Sequence, residues 1–155
     1  QKLNTIVAEN IFDMWSRLLP GSESDAVWFI NKNVVPQLYS LNLAVGTGGV
    51  SIYTPANSIA GAPYQSLMGR PVIPIEQCPT LGTKGDVILA DMKSGYVLAD
   101  KGSVQVDMSI HVAYLTDESC FRAVYRVDAC PILSAPITPF KGSSASHFVA
   151  IETRA

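Results

Sequence analysis

From Val104 to Tyr114 the chain alternates without a break: Val104, Val106, Met108, Ile110, Val112 and Tyr114 are apolar or aromatic, and Gln105, Asp107, Ser109, His111 and Ala113 lie between them. A period of two fits a strand and no helix, because successive side chains of an extended chain point to opposite faces. The pattern predicts one long, half-buried strand over 104–114. An acidic turn, Thr116-Asp-Glu-Ser119, follows, and Phe121 to Val127 reads as a second strand with Arg122 and Arg126 on one face. The two are expected to pair antiparallel.

Upstream, Leu3, Ile6, Val7, Ile11, Met14, Trp15 and Leu18 recur at spacings of three and four until Pro20-Gly21. They predict an amphipathic helix of about four turns. Ala26-Val-Trp-Phe-Ile30 is an unbroken apolar run between polar residues, the pattern of a strand buried on both faces. Asn31 or Asn33 can cap a short helix through Leu41, since Pro36 is tolerated in a first turn. Gly46 to Gly69 is rich in Gly, Pro, Ser and Ala and has almost no periodicity, so it reads as a long exposed loop with room for a hairpin. Apolar side chains on such a loop point to a partner, which makes Ile52, Tyr53, Ile59 and Tyr64 candidate contact residues. The same reasoning expects the loop to add little to the fold of one chain. Pro71–Ile75, Asp86–Ala90, Tyr96–Ala99 and His147–Ile151 are further strand candidates, and Pro131, Pro136 and Pro139 mark an irregular connection before the last of them. The expected class is α+β: a mixed β-sheet flanked by helices, with long antiparallel strands appended.

Composition narrows the function. Hydrophobic residues make up 48% of the 155 and charged ones only 15%, against roughly 25% charged in an ordinary soluble domain. A surface this poor in charge points to partner contacts. The net charge of -2 offers no basic excess to grip nucleic acid. No run approaches the roughly 18 apolar residues of a membrane span, and the first residues lack a signal-peptide pattern, so a soluble, unsecreted chain is expected. The three cysteines, Cys78, Cys120 and Cys130, form no C-x-x-C pair and are expected to be reduced, mostly buried thiols in a cytoplasmic setting.

Little in the sequence points to catalysis. His111 and His147 have no metal-ligand spacing, and His111 falls among the polar positions of its strand as a surface residue would. Gly46-Thr-Gly-Gly49 lacks the G-K-[ST] ending of a phosphate loop, and no G-x-S-x-G elbow occurs. The one catalytic pairing to name is Cys120 as nucleophile with His111 as base, should their strands pair. A thiol at a strand start ordinarily belongs to the core, so a small cysteine hydrolase is the weaker reading. Asp117 and Glu118 read as solvated turn acids. Arg122 and Arg126 are too few for a nucleic-acid site; they suit ion pairs, between subunits or within the chain, better than binding of a phosphate ligand. No catalytic residue, cofactor or metal is expected.

Three segments, SRLLPGSESDAVWFINKNVVPQL, LMGRPVIPIEQCPTLGTKGDVILADMKSGYVL and TDESCFRAVYRVDACP, together resemble the tailed-bacteriophage major capsid proteins of the Hong Kong 97-like (Johnson) fold. The most specific stretches are Gly69 to Asp91, with its G-R-P-V and G-D-V-I-L-A-D runs, and Phe121 to Asp128, F-R-A-V-Y-R-V-D. The resemblance covers nearly the whole chain but only the carboxy-terminal part of the family's pattern, since nothing matches its amino-terminal arm, extended loop or spine helix. It implies an axial-type domain over 1–100, long peripheral-type strands over 101–130, and a tail over 131–155 that returns to the axial domain. It implies a structural shell subunit, not an enzyme, that assembles with copies of itself into pentamers and hexamers around packaged DNA. Scaffolding and portal proteins are further implied partners, with no sequence-specific nucleic acid and no membrane. The implied location is the virion capsid, with assembly in the bacterial cytoplasm. Without the arm and the extended loop, the chain by itself is not expected to close into shells. Some members weld subunits through a lysine–asparagine bond assisted by a glutamate. Here the turn offers Asp117 and Glu118 without an asparagine, so that chemistry is not carried over. Encapsulin nanocompartments share the fold, and a phage-encoded binding module that uses the 46–69 segment is a further alternative.

Overall fold

The computed structural model describes residues 5–45, 48–51, 53–54 and 65–154, with 42–51, 53–54 and 65 described by backbone alone. The described chain forms two compact units, one of residues 1–95 with 133–155 and one of residues 96–132.

The larger unit is built around strand β1, Val27–Ile30. It pairs antiparallel with β7 (Val87–Ala90) on one side and parallel with β6 (Arg70–Pro74) on the other. The sheet continues through β5 (Gln65–Leu67) to β4 (Tyr53–Thr54), and β12 (Phe148–Ala150) closes the opposite edge, giving the order β12-β7-β1-β6-β5-β4. Register puts Trp28 between Val72 and Leu89, with Val149 beyond, and Ile30 beside Val87. These side chains share one face, and most of them are fully buried. Ile11, Met14 and Leu18 join the same cluster from helix α1, Ala8–Ser16, and its end. Val34 and Leu38 join it from a 3-10 turn at Lys32–Val34 and helix α2, Val35–Tyr39. Among the described residues no helix is long and apolar enough to cross a membrane.

Several elements differ from the sequence reading, each for a physical reason. Helix α1 starts only at Ala8, because Val7 is extended and no side chain caps the first turn. The 26–30 strand is buried on one face only: Val27 and Phe29 on the other are half-buried and Ile73 beside Phe29 is exposed. Apolar runs record hydrophobicity on both parities but not what covers each face. The Gly46–Gly69 segment is less of a loop than expected. Asn42–Val45 (β2) and Gly48–Ser51 (β3) form a hairpin, and β4 and β5 are strands of the main sheet. Leu67 is fully buried, and its carbonyl accepts the Trp28 indole N–H at 3.1 Å. That end of the segment is therefore core. The Asn31 cap is as read: its side chain accepts the Asn33 N–H at 2.9 Å, and Pro36 lies in the first turn of α2.

Trp28→Ala should cost about 3–5 kcal/mol, since it leaves a large cavity between three strands and strips the Leu67 carbonyl of its donor. Chemical denaturation followed by circular dichroism measures this, and a loss below about 1 kcal/mol would contradict the burial described here.

Candidate assembly surface

The smaller unit is a two-stranded ribbon. Strand β8 (Tyr96–Asp100) pairs antiparallel with β11 (Val127–Pro131), and β9 (Gln105–Ser109) with β10 (Cys120–Val124). The two ladders are out of step: three residues, 102–104, bulge on one strand against Tyr125 alone on the other, and Gly102 supplies the positive φ of 80° that the bulge requires. Below it the Lys101 N–H donates to the Arg126 carbonyl at 3.0 Å. At the far end the chain turns through a 3-10 turn at Tyr114–Thr116 and a left-handed Asp117.

The antiparallel pairing expected for this region is present, but the strand over 104–114 stops at Ser109 and is not half-buried. No residue from Tyr96 to Ile132 is buried. Val106 is 66% exposed, Phe121 72% and Leu115 97%, and Met108, Ile110, Val112 and Tyr114 are also open to water. Alternation correctly marked an apolar face; it carried no information about a cover for that face. Two strands give each other ladder hydrogen bonds but no second layer, and an isolated ribbon of this kind is marginal in water. A contiguous apolar face of this extent marks an interaction surface.

The expected contact residues are only partly brought together. Arg122 lies in β10 across from Asp107, and Arg126 lies between β10 and β11. Both are exposed, and neither is in an ion pair among the described residues. Tyr53 begins β4 opposite Leu67. Ile52, Ile59 and Tyr64 lie outside the described residues. Leu115 and Phe140, the two most exposed large apolar side chains among the described residues, were missed by the sequence reading because each stands alone, outside any periodic run.

The geometry does not assemble a cysteine–histidine pair. Register places Cys120 opposite Ser109, and His111 lies beyond the end of that ladder, exposed, its backbone N–H donating to Ser109 Oγ at 3.3 Å. The ribbon's tip has a concavity of about 420 Å³ lined by Ile110, Tyr114, Asp117, Glu118 and Ser119. It offers carboxylates but no nucleophile–base couple. Of the three cysteines, all free, only Cys78 is buried; Cys120 is half-buried and Cys130 exposed. Strands with no layer over them cannot bury their thiols, which corrects the expectation. Burial, and then the nearby Asp86 carboxylate, push the Cys78 thiol up, so it is a poor nucleophile.

The G-D-V-I-L-A-D run has a structural explanation. Asp86 and Asp91 bracket β7 and are both fully buried. Asp86 accepts the Gly82 N–H at 2.9 Å and pairs with Arg154, while the Arg154 N–H donates to the Gly82 carbonyl at 3.0 Å. Asp91 Oδ1 accepts the N–H groups of Lys93 and Ser94, at 3.0 and 3.1 Å, and so caps α3, Met92–Gly95. The Asp91 N–H donates to the His147 carbonyl at 3.0 Å, and the buried His147 ring shares a hydrogen bond of 2.7 Å with Ser22 Oγ. Gly95 leaves no space there: a Cβ would lie 2.6 Å from that of His147. The two aspartates therefore fasten the chain's last strand to its centre.

The model of the phage capsid family matches residues 1–142. The chain belongs to the phage capsid family. Two solved structures share its fold: the capsid of an empty GTA particle, with TM-score 0.58, 21% identity and 80% of this chain covered, and the capsid of a native GTA particle, with TM-score 0.64, 17% identity and 96% covered. The chain spans 40% and 44% of the length of those two capsid chains. No curated protein matches it in sequence.

Burial alone would raise the Asp91 carboxyl, but the Ser94 N–H, the Ser22 and Ser94 hydroxyls and the Lys93 N–H outweigh it and hold the group below the ordinary aspartate range. A folded-state value below the unfolded one contributes stability that is complete above the unfolded value and lost as pH falls through the folded one. Asp91→Asn should therefore cost about 1–3 kcal/mol at neutral pH, the range for hydrogen bonds to a charged acceptor. That deficit should shrink as pH drops below the ordinary aspartate range, which urea denaturation of both proteins across pH would show. A pH-independent difference would exclude the charge as its source.

Proposed function

We propose that this chain is part of a structural subunit of an icosahedral phage or prophage capsid shell, whose work is self-association rather than catalysis. The observation that carries the reading is the 96–132 ribbon, an entire unit without a buried residue. Its ordered strands need a partner surface to remove Val106, Met108 and Phe121 from water. Membership of the phage capsid family supports other copies of the subunit as that partner, and in this reading they are arranged in capsomers.

In this reading the larger unit is the axial-type domain and the ribbon the peripheral-type one. Arg122 and Arg126 then serve as interface cations, and Ile52, Tyr53, Ile59 and Tyr64 as contacts around the capsomer axis. Scaffolding and portal proteins are the further partners, the virion is the final location, and the bacterial cytoplasm is the site of assembly. The cysteine-hydrolase alternative finds no support in the placement of Cys120 and His111.

Sedimentation velocity over a concentration series tests this. The wild-type chain is expected to associate reversibly, and Val106→Lys with Phe121→Lys, two charges on the apolar face, to associate at least about tenfold more weakly. Because neither side chain is buried, the melting of the larger unit should move by no more than about 0.5 kcal/mol, as for ordinary surface substitutions. Association of the double variant equal to wild type would remove the ribbon from the interface.

A further inference from the structure

Among the described residues outside the ribbon, one apolar side chain is more exposed than any other. Phe140 is 99% exposed, on a hairpin closed by two backbone hydrogen bonds of 2.9 Å between Ile137 and Ala145. Gly142, with φ of 116°, turns the tip, a conformation that other residues adopt only with strain. A phenyl ring held fully in water on a closed turn gains nothing for its own fold. Lys141 follows it directly and has no ion-pair partner among the described residues.

Helix α1 of the same unit carries the complementary feature. Its outward face presents Phe12, 38% exposed, with Glu9 and Asp13 three residues before it and one after. Neither carboxylate is in an ion pair among the described residues. Val7, Glu9, Asn10 and Asp13 line a concavity of about 330 Å³ on the same helix. One patch is an aromatic flanked by a cation, and the other an aromatic flanked by two anions.

We propose that the Phe140–Lys141 tip of one copy of this chain docks on Phe12, Glu9 and Asp13 of helix α1 in another copy. Phe140 is the anchor whose desolvation drives the contact, and Lys141 between the two carboxylates sets its orientation. Hydrophobic anchoring and charge complementarity together favour a second copy of the chain over an unrelated acidic or basic partner, since both halves are present on every copy. Because the halves are different surfaces, a contact made once per pair leaves one half free on each copy, so it can propagate head-to-tail around a ring. The proposal rests on the reading that copies of this chain associate, but names a contact separate from the ribbon.

The test uses the full chain with a photoreactive phenylalanine analogue at position 140, mixed with isotope-labelled wild type, irradiated and analysed by mass spectrometry. Cross-links from position 140 to a peptide containing residues 7–16 of the labelled copy are expected. In sedimentation, Lys141→Glu should weaken association about tenfold or more, and the triple variant Lys141→Glu, Glu9→Lys, Asp13→Lys should recover it, as expected for a charge pair at a desolvated contact. Association with cross-links only elsewhere, or a Lys141→Glu variant that associates as wild type, would overturn this contact while leaving the capsid reading intact. A wild-type chain that stays monomeric at every concentration would overturn both.

Discussion

The indole of Trp28 sets the arrangement of the larger unit. It sits at the middle of the sheet, opposite Val72 on one side and Leu89 on the other, and donates to the Leu67 carbonyl one strand further away. Segments some forty and sixty residues away in sequence are thereby held in register with a strand of only four residues. A slip of one residue would turn the indole to the half-covered face and leave its N–H without that acceptor. The shortness of the strands makes this specification matter, because four-residue ladders supply few hydrogen bonds of their own.

Around that centre the polar residues act as fasteners. β7 runs between two buried carboxylates, and each secures a different part of the chain. Asp86 holds Arg154 at the carboxy-terminal end, whereas Asp91 caps α3 and hands its own N–H to the strand that begins beyond His147. Burying either carboxylate unpaired would be expensive, so the pairs enforce one arrangement even where their net contribution to stability is small. A sequence motif with two aspartates invites a catalytic reading. Their partners here are backbone amides, the Ser22 and Ser94 hydroxyls and one arginine, which are the partners of structural acids.

Legibility followed the physics each pattern records. The 3/4 spacing of Ile11, Met14 and Leu18 located a helix because those residues all face one core, and Trp28 was legible as core because it lies in a run with no polar neighbour. The 65–67 strand was not legible, since Gln65-Ser-Leu67 has neither β-branched residues nor alternation long enough to register, and its place is given by Trp28 and Arg70–Pro74. His147 was likewise unreadable: a lone histidine acquires its partner Ser22 only through a contact across 125 residues. For the candidate surface, composition pointed to partners and alternation located the apolar face, but the absence of any covering layer is a three-dimensional fact. The isolated Phe140 carries no pattern at all.

That difference between pattern and burial bears on how such a subunit is stabilised. The larger unit owns a core and can hold its structure by its own contacts, whereas the ribbon buries nothing. Whatever order the ribbon has beyond its ladder hydrogen bonds must come from surfaces it meets, so its stability and its association are one process under the proposed function. Coupling of this kind lets a free subunit remain adaptable while an assembled one is firm, because the apolar side chains leave water only on contact. It also accounts for strand-forming residues where no core exists: Val106, Met108 and Phe121 keep the ribbon extended and share one open apolar face. Polar residues at those positions would make the free ribbon more soluble, yet they would remove the surface through which copies are proposed to recognise one another.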